Sequence, residues 1–126
     1  MKLHIQTANG TNLFTAYGDD YVAVNGVRHQ RSLIVLPGRI ITEWQPVAPD
    51  AMTQEHFSEL SEQGLEILLL GTGARLCFPS PRLIQALAQQ GIGLETMDTF
   101  AACRTYNILA AEGRKVAAAL IFGAVS

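Results

Sequence analysis

The residues with the clearest potential for chemistry begin with a short glycine loop. The loop is Gly71-Thr72-Gly73, and it follows directly on the apolar run at residues 67–70. Backbone N–H groups in such a loop can bind a phosphate or a carboxylate. The loop lacks the third glycine of a dinucleotide-binding motif and the lysine of a P-loop, so a tight turn explains it as well. It therefore predicts either an anion site or a turn.

A second stretch with binding potential is the start of a helix at Asp98 and Thr99. The free N–H groups and positive dipole end of a helix N-terminus suit an anion. Arg104 and Asn107 lie three residues apart on one edge of this helix, where they can present a guanidinium and an amide together. A structural alternative makes Asp98 or Thr99 the N-cap and pairs Arg104 with a carboxylate such as Asp98 or Glu112. The candidate anion-binding residues are Gly71, Thr72, Gly73, Thr99, Arg104 and Asn107.

The other reactive side chains form no recognisable catalytic set. The three histidines stand on different predicted elements without ligand spacing, so no metal site is predicted. Ser80 lies outside any G-x-S-x-G pattern and fits an N-cap. Cys103 falls on the apolar arc of a helix, which favours an inert buried thiol. We therefore predict no catalytic residue and no cofactor. A protein without enzymatic activity is the favoured expectation, and an enzyme is the alternative.

Composition limits the classes of protein to consider. With 126 residues, 48% hydrophobic and 16% charged, the chain suits one domain over residues 1–126. A net charge of -2 and scattered Lys and Arg argue against nucleic acid as a partner. The amino terminus lacks a signal-peptide pattern, and the longest apolar run, residues 116–122, is shorter than a membrane span. Cys77 and Cys103, each beside apolar neighbours, fit buried free thiols. A soluble cytoplasmic protein is expected.

The first half of the chain predicts an antiparallel meander over residues 12–45. Aromatic and β-branched runs predict strands at residues 13–17, 21–24, 27–29, 32–36 and 39–44. Asn25-Gly26 suits a type I′ turn, and Pro37-Gly38 suits a type II turn with Gly38 in the left-handed position. Residues 46–50, with two prolines, are a connector to the second half.

The second half predicts helices that cover a sheet. Strands are expected at residues 66–70, 75–78, 92–96 and 115–121, all in one sheet. The last of these is rich in alanine, which favours helix by propensity, but its unbroken apolarity favours a buried strand. Three helices are expected: Thr53 to near Gly64 with Met52 and Phe57 as a hydrophobic staple, Ser80-Pro81 to Gly91, and one that starts at Asp98 or Thr99. The second has an apolar stripe of Leu83, Ile84, Leu87 and Ala88, and the third an arc of Ala102, Cys103, Tyr106, Leu109 and Ala110.

Residues 97–120 carry a longer signature. They read Met-Asp-Thr-(x)2-Ala-(x)2-Thr-Tyr-Asn-Ile-Leu-(x)2-Glu-Gly-Arg-(x)-Val-Ala-Ala-Ala-Leu. This run resembles the small-domain family that includes the mitochondrial NADH dehydrogenase (complex I) assembly factor 3 and the adipogenesis-associated domain protein of animals. Asn25-Gly26, the loop at residues 69–73 and Phe78-Pro79 occur in the family's order. The resemblance implies an α/β three-layer sandwich, with a central mixed sheet, helices on it and a small antiparallel β layer.

Two classes of function remain at this stage. The resemblance implies a non-enzymatic interaction or assembly factor with protein partners, related to respiratory complex I assembly, and it brings no catalytic residues. The alternative is a small-anion binding domain, enzymatic or not, with its pocket at Gly71-Thr72-Gly73 and the Asp98 helix start. We favour the first, because the sequence shows no set of titratable groups arranged for proton transfer.

Overall fold

The computed structural model describes residues 10–60 and 62–123. The strands are β1 (Phe14–Gly18), β2 (Tyr21–Val24), β3 (Val27–His29), β4 (Leu33–Leu36), β5 (Arg39–Ile41), β6 (Ile67–Gly71), β7 (Gly93–Met97) and β8 (Val116–Leu120). The helices are α1 (Pro81–Ala88) and α2 (Thr99–Ala111), with 3-10 helices at Pro49–Ala51 and Gln54–Leu60. Neither α-helix, nor any other helix of these residues, combines the length and apolarity that a bilayer crossing requires.

A five-stranded mixed sheet, in the order β5-β4-β8-β6-β7, forms the centre of the fold. Strand β6 lies between β7 and β8 and runs parallel to both, whereas β4 pairs antiparallel with β8. All five residues of β8 are buried, so its alanines lie in a covered strand. The prediction of a strand rather than a helix is confirmed there, because burial on both faces outweighs the helix propensity of alanine.

Alternate residues of the central strands point into two separate cores. On one face, Leu68 and Leu70 pack with α1 and with the long 3-10 helix. On the other face, Leu69 packs with α2 and with the small sheet β1-β2-β3. This alternation follows from the period of two along a strand. The three-layer α/β sandwich is confirmed.

The small sheet depends on the Asn25-Gly26 turn. Asn25 has φ 53° and Gly26 has φ 85°, as a type I′ turn requires. The Asn25 side chain accepts a hydrogen bond from the Leu13 N–H at 3.1 Å and donates one to Asn12 Oδ1 at 2.8 Å. The predicted hairpin between residues 21–24 and 27–29 is confirmed.

The single meander over residues 12–45 is wrong. Strand β4 leaves the small sheet and pairs with β8, with Leu33 opposite Leu120. The reason is that all four residues of β4 are buried, and a continuously apolar strand needs cover on both faces. The hairpin between β4 and β5 is present, with Leu36 opposite Arg39. Gly38, however, does not have the positive φ of the expected type II turn.

The predicted strand at residues 75–78 is also wrong. This segment is an exposed loop, in which Leu76 is 50% and Phe78 is 64% exposed. The Thr72 hydroxyl donates to the Arg75 carbonyl at 2.7 Å and accepts from the Cys77 N–H at 3.2 Å, which coils the chain. Both sides of β6 are already occupied by β7 and β8. Cys77 is therefore exposed, contrary to the prediction of a buried thiol.

Two predicted helices differ in detail from the observed ones. The helix expected from Thr53 to near Gly64 is the 3-10 helix Gln54–Leu60, broken at Phe57 with φ -121°. Met52 and Phe57 are nevertheless buried in one core. In α1, Ser80 is the N-cap as predicted, and its hydroxyl accepts from the Leu83 N–H at 3.2 Å. The apolar stripe of α1 is narrower than predicted, because Ile84 and Ala88 are exposed while Leu83 and Leu87 are buried.

Helix α2 approaches the central sheet closely at Gly71, the last residue of β6. A Cβ atom there would lie 2.6 Å from Cδ2 of Leu120, 3.2 Å from Cβ of Ala102 and 3.4 Å from Cα of Thr99. Any side chain at position 71 must therefore push α2 or Leu120 away. The glycine is required by packing rather than by its backbone angles.

We expect Gly71→Ala to lower the free energy of unfolding by about 1–3 kcal/mol, the usual cost of overpacking. Urea denaturation monitored by circular dichroism measures this. Gly38→Ala is the matched control, because apart from its chain neighbours no described residue lies within 4 Å of a Cβ there and its φ is not positive. It should change stability by less than about 1 kcal/mol. Equal stability of the Gly71 variant and the parent would contradict the close contact.

Candidate functional site

The candidate site is a cleft at the carboxyl ends of the three parallel strands β6, β7 and β8. The chain passes from β6 to β7 through α1 on one face of the sheet, and from β7 to β8 through α2 on the other. The two crossovers therefore run in opposite directions along the sheet, and the crevice between β6 and β8 is the point where the winding reverses. Crevices at such reversal points are the usual ligand sites of open α/β sheets.

The cleft has a volume of about 580 Å³. Its walls are the loops that follow β6, β7 and β8, together with the end of β1. The lining residues are Gly18, Asp19, residues 72–75, residues 98–100, Arg104 and residues 121–123. Five of the six predicted site residues lie at this place in the fold: Gly71 ends β6 beneath the cleft, and Thr72, Gly73, Thr99 and Arg104 line it.

The glycine loop and the start of α2 are brought together by direct hydrogen bonds. The Gly73 N–H donates to Oγ1 of Thr99 at 3.1 Å, and the Thr99 N–H donates to the Gly73 carbonyl at 3.1 Å. The Thr72 N–H donates to the Met97 carbonyl at 3.0 Å. These N–H groups already have partners in the protein, so an anion that used them would have to replace those bonds.

The N-terminus of α2 is capped by Asp98, one of the two predicted caps. Its Oδ1 accepts a hydrogen bond from the Ala101 N–H at 2.8 Å. The carboxylate therefore supplies the negative charge that favours a helix N-terminus. A second anion at the same position would meet electrostatic repulsion from Asp98. The predicted anion site remains a prediction, and Arg104 is its strongest element.

Two arginines give the cleft its positive charge. Arg75 and Arg104 are exposed and line it, and neither forms an ion pair within residues 10–60 and 62–123. Pairing of Arg104 with Asp98 or Glu112, the structural alternative, is thus not observed. With respect to the described part of the chain, both guanidinium groups are available to bind an external group.

Asn107 lies away from the cleft and has a structural role. Its Oδ1 accepts from the Phe14 N–H at 2.9 Å, and its Nδ2 donates to the Phe14 carbonyl at 2.8 Å. The neighbouring Tyr106 hydroxyl donates to the Asn12 carbonyl at 2.8 Å. Helix α2 therefore holds the small sheet by satisfying backbone groups at its edge. The sequence signal for this structural role was the position of Asn107, a polar residue directly after Tyr106 on a helix rich in small residues.

Aromatic residues at the cleft were missed by sequence reasoning. Phe100 lines the cleft, and Tyr17 stacks on it with ring centroids 4.8 Å apart. Each is 37% exposed. Phe100 occupies the first turn of α2 but lies outside the predicted apolar arc. A large aromatic residue off the buried arc was the sequence signal for an exposed ring at the cleft.

The reactive groups near α2 are not placed for catalysis. Burial raises the pKa of the Cys103 thiol to about 12, against the opposing effect of the nearby Arg104 charge. Burial also raises the pKa of Tyr106 above its usual range. Both side chains belong to the core between α2 and the sheet. Within the described ranges, no three His, Cys, Asp or Glu side chains come together in a way that could hold a metal ion.

We expect Asn107→Ala to lower the free energy of unfolding by about 2 kcal/mol or more, because the buried Phe14 loses a partner for both its N–H and its carbonyl. Chemical denaturation measures the change. Ile108→Ala, at an adjacent side chain that is 60% exposed, is the control and should have an effect within about 0.5 kcal/mol. If both variants were equally stable, Asn107 would not hold the small sheet.

The cysteines should differ in reactivity toward a thiol reagent such as 5,5′-dithiobis(2-nitrobenzoate). Cys77 is exposed and should react in the native protein, whereas Cys103 is buried and protonated and should react only on unfolding. The stability that comes from keeping the Cys103 thiol neutral is complete below pH 9.0 and declines as the pH rises toward about 12. Rapid labelling of native Cys77→Ser would contradict the burial of Cys103.

Comparison with known proteins finds some relatives that align with this chain over almost their whole length and others that are considerably longer. It is 36% identical over 108 residues to NADH dehydrogenase (ubiquinone) 1 alpha subcomplex assembly factor 3 of Bos taurus. That match covers 84% of this chain but 58% of the relative, so the chain spans little more than half of the assembly factor's length. The resemblance to the assembly factor family is thereby confirmed.

Solved structures show the same fold. A Bordetella parapertussis protein is 39% identical with a TM-score of 0.82, and the match covers 93% of this chain and 100% of that one. A Bartonella henselae protein, described as an outer membrane protein, is 35% identical with a TM-score of 0.75, over 90% of this chain and 96% of that one. Residues 14–121 match the family described as Protein of unknown function (DUF498/DUF598). The chain belongs to the DUF498/DUF598 family.

Proposed function

We propose that this chain binds a protein partner and acts as an assembly factor, without catalytic turnover. The observation that carries the proposal is its 36% identity over 108 residues to a named assembly factor for NADH dehydrogenase. The partner of the proposed function is accordingly a subunit or an assembly intermediate of a respiratory NADH dehydrogenase.

The surface at the cleft supports a binding role. Phe100, Tyr17, Arg75 and Arg104 combine exposed aromatic rings with guanidinium groups that have no partner in the described residues. Aromatic side chains and arginine are the residue types most enriched at the centres of protein–protein interfaces. Burial of such a surface against a partner protein makes the free energy of binding more favourable.

The polar groups of the cleft support binding over turnover. The hydroxyls of Thr72 and Thr99 are engaged in local hydrogen bonds, and the Asp98 carboxylate caps α2. General acid–base catalysis requires a titratable group within hydrogen-bond reach of the reacting atoms, or of a nucleophile that it activates. No such pair is formed among the cleft residues described.

A small-anion site in the same cleft is the alternative proposal. Arg104 favours it, because this arginine lines the cleft and forms no ion pair in the part of the chain described. The candidate ligand would be a phosphate or a carboxylate, which a guanidinium can bind through two hydrogen bonds. The engaged N–H groups of the loop and the Asp98 carboxylate weigh against it.

The proposal places a single domain in the cytoplasm. The described residues pack on both faces of one central sheet, which supports one domain over residues 1–126. Both cysteines are free, and one of them is exposed, which suits a reducing compartment.

Deletion of the gene from the organism that encodes it tests the function. We expect less assembled respiratory NADH dehydrogenase on native gels and a lower NADH–quinone reductase activity of the membranes, both restored by a plasmid copy. Normal amounts of the assembled enzyme would contradict the proposal.

Thermal shift of the purified chain against phosphates and carboxylates tests the alternative. The assembly role predicts no stabilisation, whereas a bound anion would raise the melting temperature through preferential binding to the native state. Arg104→Ala should remove any such shift if the anion lies in the cleft.

A further inference from the structure

We infer that the cleft binds an extended segment of the partner protein in which an aromatic or aliphatic side chain stands next to a carboxylate. This inference rests on the proposed function and specifies the chemistry of the segment that is recognised. Its basis is the combination of exposed apolar side chains, uncommitted positive charge and a concave shape at one place in the fold.

Exposed apolar side chains concentrate at this end of the sheet. Seven large apolar side chains are exposed in the described residues, and four of them are Phe100, which lines the cleft, and three side chains on β1 and on the loop after β6, whose ends line it. Tyr17 and Phe100 form the stacked pair, and Leu76 and Phe78 lie on the loop that follows β6. Inside the cleft, Ile121 and Phe122 add an apolar lining. Apolar area of this kind attracts an apolar side chain of the partner.

The uncommitted charge of the cleft is positive. Of the four charged residues that line it, Asp98 accepts the N-cap hydrogen bond from Ala101, so its charge is already compensated by the start of α2. Arg75, Arg104 and Asp19 form no ion pair among the described residues, so two guanidinium groups face one remaining carboxylate and the balance is positive. A segment with a carboxylate meets two guanidinium groups, and a basic segment would meet their repulsion.

The shape of the site favours a chain segment over a flat surface. A cleft of about 580 Å³ lies within the range of pockets that enclose a small ligand or a few side chains. A membrane surface, in contrast, is contacted by a face that protrudes. The carboxylate and its apolar neighbour can therefore enter the cleft that the loops after β6, β7 and β8 surround.

A displayed library of random peptides, selected against the immobilised full chain, tests the inference. We expect enriched peptides to carry Asp, Glu or a terminal carboxylate next to an aromatic or aliphatic residue. Binding of the best peptide, measured by fluorescence polarisation, should weaken about tenfold or more in Arg75→Gln and in Arg104→Gln, since each removes a charge-assisted hydrogen bond. Phe100→Ala should also weaken it.

Arg82→Gln is the matched control, because Arg82 is an exposed arginine on α1 outside the cleft. It should bind the peptide as the parent does. Melting temperatures of the arginine variants should equal that of the parent, since each side chain is exposed and without an ion pair in the described residues. A fall in peptide affinity without a fall in melting temperature then reports binding alone.

Several results would overturn the inference. These are a selection without enrichment, enrichment of basic peptides, or enriched peptides that bind the Arg75 and Arg104 variants as well as the parent. Binding to phosphatidylserine vesicles that is lost in the same variants, without peptide binding, would assign the arginines to a membrane surface instead.

The deletion strain separates this inference from the proposed function. A plasmid carrying both Arg75→Gln and Arg104→Gln should fail to restore assembled NADH dehydrogenase where the parent plasmid succeeds. Full restoration by the double variant would overturn the cleft inference and leave the assembly role intact. A deletion without any assembly defect would overturn the assembly role, while the peptide selection would still decide what the cleft binds.

Discussion

The close packing of helix α2 on the central sheet is the contact on which the rest of the structure depends. Gly71 makes it possible, because a Cβ atom there would lie 2.6 Å from a methyl group of Leu120 and 3.2 Å from Cβ of Ala102. Ala118 of β8 lies in the same core as α2, and its small side chain keeps the neighbouring sheet surface low. Dispersion contacts depend steeply on distance, so small residues on both sides bring helix and sheet into full contact.

The position of α2 then determines both the small sheet and the cleft. At the middle of the helix, Asn107 satisfies both backbone groups of Phe14 and so attaches β1. At its start, Thr99 and Gly73 exchange hydrogen bonds that fix the loop after β6. One helix therefore connects the structural core to the candidate site. Changes in its packing should be felt at both places.

The cleft combines groups that are already satisfied with groups that are not. Its backbone donors and the Asp98 carboxylate serve the fold. The stacked rings of Tyr17 and Phe100, in contrast, stay partly exposed, and the guanidinium groups of Arg75 and Arg104 form no ion pair among the described residues. This division agrees with recognition of a partner, which needs exposed apolar area and charge more than it needs perturbed titratable groups.

The sequence by itself determined the α/β class, β6, β7 and β8, the Asn25-Gly26 turn and the cap at Ser80, and it limited the cap of α2 to Asp98 or Thr99. These depend on local chemistry: runs of apolar residues, positive φ and helix-capping side chains. Tertiary structure alone decided the rest. Strand β4 joined β8 because both its faces needed cover, and residues 75–78 became a loop because β6 already had two neighbours. Asn107 was expected beside Arg104 in the anion site, but its side chain hydrogen-bonds to the backbone of β1 instead. The spacing of residues along a helix does not specify which distant strand a side chain will contact.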